Sequence, residues 1–175
     1  MEQSFINQEV FKLSKGELAS FSDLYYQYKD LIRGVLFRLT PFDQIDDLAQ
    51  ETFLKIWKGL PGFQGKSSLR VWIYRIAYHV AVDALKKRKA IREVASCEET
   101  GTSFESQWMN QKLVRKILKE LPLENRSVLV LFFMEELSLE EISETLEIPT
   151  GTVKSRLHYS KQKMLETLGK EGIEL

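Results

Sequence analysis

At 175 residues the chain has room for one ordinary domain or two small ones, and a hydrophobic content of 43% is ample for packed cores. Lys and Arg number 25, as do Asp and Glu, so the formal net charge is zero and bulk positive charge is excluded as a means of holding nucleic acid. One cysteine, Cys97, excludes an internal disulfide, and with only His79 and His158 beside it no metal or other cofactor is expected.

The N-terminus has early acids and no sustained apolar run, so it reads as neither a secretory signal nor a membrane span, and the cytoplasm is the expected compartment. Residues Gln3 to Lys15 carry no motif. The first helix is expected over Glu17 to Leu39, with Leu18, Phe21, Leu24, Tyr25, Tyr28, Leu31, Ile32, Val35 and Leu39 as its apolar stripe. A second starts with Asp43 as N-cap and runs to Gly59 or Leu60. It buries Ile45, Leu48, Ala49, Thr52, Phe53, Ile56 and Trp57, leaving Asp46, Asp47, Gln50, Glu51 and Lys55 exposed.

The loop PGFQGKSSLR, residues 61 to 70, combines two glycines, two serines, an aromatic and a lysine. Phe63, Gln64, Lys66, Ser67, Ser68 and Arg70 could approach a nucleic-acid backbone closely, and a pocket for an unstacked base is conceivable. A capping loop, with Ser67 or Ser68 as N-cap, is the plainer reading, and both can hold together. The third helix spans Ser67 to Lys89. Ile73, Ile76, Ala77, Val80 and Ala84 form its core stripe, while Arg75, His79, Val82 and Lys86 share the opposite face with Trp72 at the margin. From Lys66 to Arg92 there are eight bases against the single acid Asp83, a local charge of +7. A helix with a basic back and an aromatic edge suits DNA, although Trp72, Tyr74 and Tyr78 also serve as core filler.

Residues 93–107, EVASCEETGTSFESQ, have the composition of a linker and divide the chain into a domain over 1–92 and another over 108–175. The second domain opens with a helix from Trp108 to Leu121, followed by one from Leu123 to Glu136. Residues 139–164 then read as two helices around the turn Glu147-Ile148-Pro149. Ser138 is the N-cap of the first with Glu141 as its capping-box partner, and Leu139, Ile142, Ser143 and Leu146 form its buried face. Thr150 can cap the second, which buries Val153, Leu157, Ser160 and Met164. Glu135 to Glu147 holds six acids and no base, and Thr150 to Lys163 holds Lys154, Arg156, Lys161 and Lys163 and no acid. A helix-turn-helix places such a second helix in the major groove, where Thr152, Lys154, Ser155 and His158 reach base edges with Tyr159 outward beside them. A helical hairpin with a solvated face is the alternative. No alternating strand pattern occurs, so an all-α protein of two small helical domains joined by a flexible linker is expected.

DDLAQETFLKIW (46–57), GKSSLRVWIYRIAYHVAVDALKKRK (65–89), the Leu-Pro at 121 and LSLEEISETLEIPTGTVKSRLHYSKQKM (137–164) together resemble the compact sigma factors of the extracytoplasmic-function group, across Leu18 to Leu168. The resemblance implies a non-enzymatic promoter-specificity factor that binds core RNA polymerase. Asp46, Asp47, Gln50 and Glu51 would dock on the β′ clamp helices, and the C-terminal domain on the β flap. Phe63, Gln64, Lys66, Ser67, Ser68, Arg70, Trp72, Arg75, His79 and Lys86 would recognise and melt the promoter −10 element. Thr152, Lys154, Ser155, Arg156, His158 and Tyr159 would read the −35 element. An anti-sigma factor is the usual further partner, and no small-molecule substrate is implied. His79 stands where the family commonly has Asn, and Ser143 and Ser160 where it has small alanines. The competing class is a stand-alone helix-turn-helix regulator, which leaves the acidic helix and the Gly/Ser loop unexplained. A nuclease would need a convergent carboxylate or His/Cys cluster that the sequence lacks.

Overall fold

The computed structural model describes residues 18–40, 44–95 and 109–170. Among them are seven α-helices and no strand: α1 Leu18–Leu39, α2 Ile45–Gly59, α3 Leu69–Ala95, α4 Met109–Glu120, α5 Leu123–Phe133, α6 Leu139–Leu146 and α7 Thr150–Lys170, with a 3-10 turn at Leu60–Gly62.

Three mutually packed helices, α1 to α3, make the first half. Their helical-period stripes converge, so that Ile32, Val35 and Leu36 of α1, Phe53 and Ile56 of α2, and Ile73, Ala77 and Val80 of α3 are buried. Asp46 and Asp47 lie in the first turn of α2, where the helix dipole favours them. The cap position is Gln44, which makes no side-chain cap bond. Asp43, the expected cap, lies outside the described residues. At the start of α3 the Ser68 hydroxyl accepts from the Val71 amide at 3.2 Å, so the serine loop does supply the N-cap. That helix continues past Lys89 to Ala95, and residues 93–95 are therefore helical rather than linker. The remaining linker positions and Cys97 lie outside the described residues.

The second half is built around α5, in which the five consecutive residues Ser127 to Leu131 are all buried. Such a helix must be covered on every side, and α7, α6 and α1 cover it. It ends at Phe133, three residues before the expected Glu136, because the chain turns there. Glu136 takes a positive φ of 54°, and the Leu137 amide returns to the Leu131 carbonyl at 3.1 Å. The Ser138–Glu141 capping box then starts α6 as the sequence requires: the Ser138 hydroxyl accepts from the Glu141 amide at 3.2 Å, and the Glu141 carboxylate accepts from the Ser138 amide at 2.9 Å.

Glu147 terminates α6 in the left-handed conformation, φ 55°. The Ser143 hydroxyl donates to the Ile148 carbonyl at 2.6 Å, and the Ile148 amide donates to the Ser143 carbonyl at 3.2 Å, so one serine clamps the turn. The Pro149 carbonyl accepts from Thr152 and Val153 at 2.8 and 3.1 Å. Thr150 is thus the first residue of α7, and Pro149 takes the cap position expected of it. Ile142, Thr145, Leu146, Val153, Leu157 and Ser160 close the core of the hairpin.

The sequence leaves the relative placement of the halves open. In the structure they are packed together, α6 on α3 and both α4 and α5 on α1.

Candidate DNA and polymerase interfaces

The outer face of α7 is exposed at Lys154, Ser155, His158 and Tyr159, with Thr152 and Arg156 half-buried at its edge. Four of the six expected residues are therefore exposed, and all six lie in the first half of the helix. No acid occupies the first turn, which leaves the positive end of the dipole uncovered. Gly151 has open space where a side chain would stand, so another backbone or a phosphate can approach closely. The Ser155 hydroxyl bonds the Thr152 carbonyl at 3.0 Å, while the Lys154 ammonium and the His158 ring project from the helix as free-standing donors for a groove.

The loop before α3 exposes Gln64 and Lys66 and turns at Gly65 with φ 67°. Phe63 and Trp72 are half-buried and stack 5.1 Å apart at 46°. The Trp72 indole rests on the end of α2, where a Cβ on Gly59 would come within 3.0 Å of its Cζ2. Trp72 is thus packed on the end of α2 and against Phe63 and keeps part of its ring at the surface. Ser67 is half-buried beside the capping Ser68, and His79 and Lys86 are exposed further along α3.

Arg70 and Arg75 depart from the expected free basic face. Arg70 donates to the Glu135 carbonyl at 2.6 Å and to the Tyr74 hydroxyl at 3.3 and 3.4 Å. Arg75 donates to the Glu144 carbonyl at 2.7 and 3.1 Å and lies 3.8 Å from the Glu147 carboxylate. Both of these guanidiniums are held by the second half. Burial opposes the Arg70 cation, but Tyr74, Glu135 and Glu141 outweigh it and its pKa is raised. Tyr74, fully buried, has its pKa pushed up first by burial and then by donation to the Glu135 carboxylate. Tyr78 is raised likewise, by burial and then by Glu124 of α5.

On α2, Asp46, Asp47 and Gln50 are exposed as expected, Asp46 paired with Arg33 of α1. Glu51 is partly covered and pairs with Lys55 at 3.0 Å. The same helix, with α1, encloses a cleft of about 620 Å³ whose walls include Phe21, Tyr25, Phe53, Leu54 and Trp57 and whose rim carries Lys29, Arg33, Asp46 and Gln50. Sequence reasoning found the acids and missed this apolar cleft. Tyr25, assigned to the buried stripe, is 42% exposed, and Leu54 is an apolar residue off the stripe that provided the only local signal. Phe133 is a further exposed apolar residue, with the Lys161 ammonium 5.2 Å from its ring.

Among the described residues no group of three His, Cys, Asp or Glu could hold a metal ion, and no helix is long and apolar enough to cross a membrane.

Residues 24–106 match the family model of Sigma-70 region 2, and residues 111–164 that of Sigma-70, region 4. The chain is 32% identical to the ECF RNA polymerase sigma factor SigW of Bacillus subtilis (strain 168), over 95% of this chain and 98% of that one. It is 34% identical to the RNA polymerase sigma factor YlaC of the same organism, over 89% and 95%. The solved structure of sigma factor RpoE in complex with the anti-sigma factor NepR from Bartonella quintana shares the fold, with a TM-score of 0.76 at 20% identity over 87% of this chain and 98% of that one. A stand-alone helix-turn-helix regulator would account for region 4 but not for region 2 ahead of it. With both regions present in this order, the chain belongs to the extracytoplasmic-function group of the sigma-70 family and directs RNA polymerase to promoters.

Proposed function

We propose that the three exposed chemistries divide the work of this sigma factor. The outer face of α7, with Thr152, Lys154, Ser155, Arg156, His158 and Tyr159, reads the −35 element in the major groove. The loop and first turns of α3, from Phe63 through Trp72, hold an unstacked base of the −10 element. Lys66, Arg70, Arg75, His79 and Lys86 line the path of its phosphates. The α1–α2 cleft and its neighbours Asp46, Asp47, Gln50 and Glu51 dock on the β′ clamp helices of core polymerase, and the second half docks on the β flap. Catalysis then resides in the polymerase, and the protein works in the cytoplasm.

The observation that carries this reading is the placement of two unlike surfaces: the apolar α1–α2 cleft with Asp46, Asp47 and Gln50 exposed beside it, and the acid-free start of α7, where Lys154, Ser155, His158 and Tyr159 are exposed. A neutral chain can meet both a protein and DNA if the charges are sorted in this way. An anti-sigma factor is the expected inhibitor, supported by the likeness in fold to a sigma factor solved with one.

The test is to mix the purified chain with core polymerase and transcribe a genomic fragment library. Co-elution on gel filtration, with new start sites preceded by shared −35 and −10 sequences, is the expected result. A folded chain that fails to bind core would remove the role given to α2.

A further inference from the structure

The residues assigned to −35 reading lie between Thr152 and Tyr159, and a serine hydroxyl holds α7 on either side of them. The first is Ser143 of α6. Its hydroxyl donates to the Ile148 carbonyl at 2.6 Å while its own carbonyl accepts from the Ile148 amide at 3.2 Å, so both backbone groups of Ile148 are tied to one residue. The turn needs such a tie. Glu147 takes a φ of 55°, where a side chain crowds its own backbone, and no glycine relieves it. Two residues further on α7 begins at Thr150, and the Pro149 carbonyl receives the Thr152 and Val153 amides. The hold on Ile148 therefore fixes where α7 starts.

The second is Ser160, fully buried where α7 packs on α5. Its hydroxyl oxygen lies 2.7 Å from the Arg156 carbonyl, one turn back, and 3.1 Å from the Asn125 carbonyl of α5. A hydroxyl has one proton, which here is shared between two helices. The Asn125 side-chain amide approaches the same Arg156 carbonyl at 3.5 Å and closes the link from the α5 side. By contrast, the Ser127 hydroxyl, equally buried in α5, returns to the Leu123 carbonyl of its own helix at 2.8 Å.

Apolar contact alone does not set the placement of α7. Val153 and Leu157 bury its inner face, but the hydrophobic effect is non-directional, so a helix resting on them can still slide or roll. Hydrogen bonds between fixed atoms are lost when stretched by an ångström, and base reading has the same tolerance: a site about 1 Å too loose no longer discriminates. From Thr150 to Ser160 is about 15 Å of helix, so two hydroxyls at its ends resist tilt as well as slide.

We infer that Ser143 and Ser160 are positioning residues for −35 recognition: together they set the height and tilt of α7, and so how sharply Lys154, Ser155 and His158 discriminate base pairs. This rests on the reading of α7 as the −35 helix. Each serine acts through the helix it holds. Losing one leaves α7 pivoting on the other, so the two losses blur opposite ends of the element.

The experiment uses holoenzyme assembled from core polymerase and the full chain, on a promoter recovered from the genomic library with its −35 base pairs randomised and its −10 element fixed. Sequencing the bound DNA gives the preference at each base pair for wild type, Ser143→Ala, Ser160→Ala and Ser127→Ala. Alanine removes a single oxygen and favours helix, so circular dichroism should show every variant folded. The expected result is a preference weakened roughly tenfold at one end of the element in Ser143→Ala and at the other end in Ser160→Ala. Ser127→Ala should keep the wild-type profile. A wild-type profile from Ser143→Ala and Ser160→Ala, or an equal blur in Ser127→Ala, overturns the inference, the latter because lost stability alone then accounts for the effect. Should Ser160→Ala melt below the assay temperature, Ser143→Ala, at a half-buried position, decides alone. A wild type with no preference at −35 would defeat the reading of α7 itself and the inference with it.

Discussion

Leu54→Asp separates docking through the α1–α2 cleft from docking through charge alone, because the two give effects of opposite sign. Leu54 is 52% exposed on α2 and lines the cleft beside Phe53. Burying a whole leucine side chain contributes about 1.5–3 kcal/mol, so the half still exposed is worth about 1 kcal/mol when a clamp helix covers it. Aspartate forfeits that and sets a carboxylate against apolar surface, a further penalty of about 2 kcal/mol. The sum of about 3 kcal/mol predicts a dissociation constant for core polymerase roughly a hundredfold weaker. Fold stability should move by only about 0.5 kcal/mol, the helix propensity of an exposed site. Titrating core polymerase into fluorescently labelled protein, beside a thermal melt of each variant, measures both quantities. If docking used only the acids of α2, a fourth carboxylate would leave binding unchanged or strengthen it. Either result with an unaltered melt would refute the cleft.

Four further outcomes are expected. Lys154→Ala with His158→Ala should weaken −35-dependent transcription by about 1–3 kcal/mol for each side chain that reads a base, with core binding intact in the same preparations. Ile142→Ala, at a fully buried position of the hairpin, should cost about 2–5 kcal/mol in urea unfolding followed by circular dichroism; a cost below about 1 kcal/mol would deny it a place in that core. Trp72→Ala should lower stability by about 2 kcal/mol, since its ring is half-buried, and should reduce permanganate reactivity of the −10 thymines more than closed-complex formation. Equal losses would confine Trp72 to packing. Because the folded state raises the Tyr74 pKa, its stabilising effect is complete below the unfolded value near 10 and is lost as pH rises above that toward the folded value. Wild type should therefore lose more stability than Tyr74→Phe in alkaline melts above pH 10.

What could be read from the sequence was local. The capping box needs only Ser138 and Glu141, three residues apart, and the core stripes need only the helical period, so both were legible. Cap positions fall at Gln44 and Pro149, one residue from the expected Asp43 and Thr150; neither side chain caps its helix, so side-chain preference could not locate these boundaries and backbone geometry sets them. The end of α5 was missed because a glutamate, not a glycine or asparagine, takes the left-handed turn at residue 136. Glu135 looked like one more acid in an acidic run. What singles it out are partners 61, 65 and 97 residues away, and no periodicity or motif encodes pairing at that separation.

The same pairings change the meaning of the zero net charge. In the sequence, the bases from Lys66 to Arg92 and the acids from Glu135 to Glu147 look like surfaces for two different partners. In the folded chain part of each set faces the other: Arg70 and Arg75 meet Glu135, Glu144 and Glu147, and Glu124 lies near Tyr78. Acids and carbonyls of the second half thus occupy guanidiniums that the proposed reading assigns to phosphates, and on that reading DNA and the second half compete for the same donors. The competition is graded by burial. The Arg75–Glu147 pair is open to solvent and is weakened by salt, whereas the Glu135 cluster is shielded and is not. Added salt is therefore expected to weaken the outer pair first and to leave the contact at Glu135 in place.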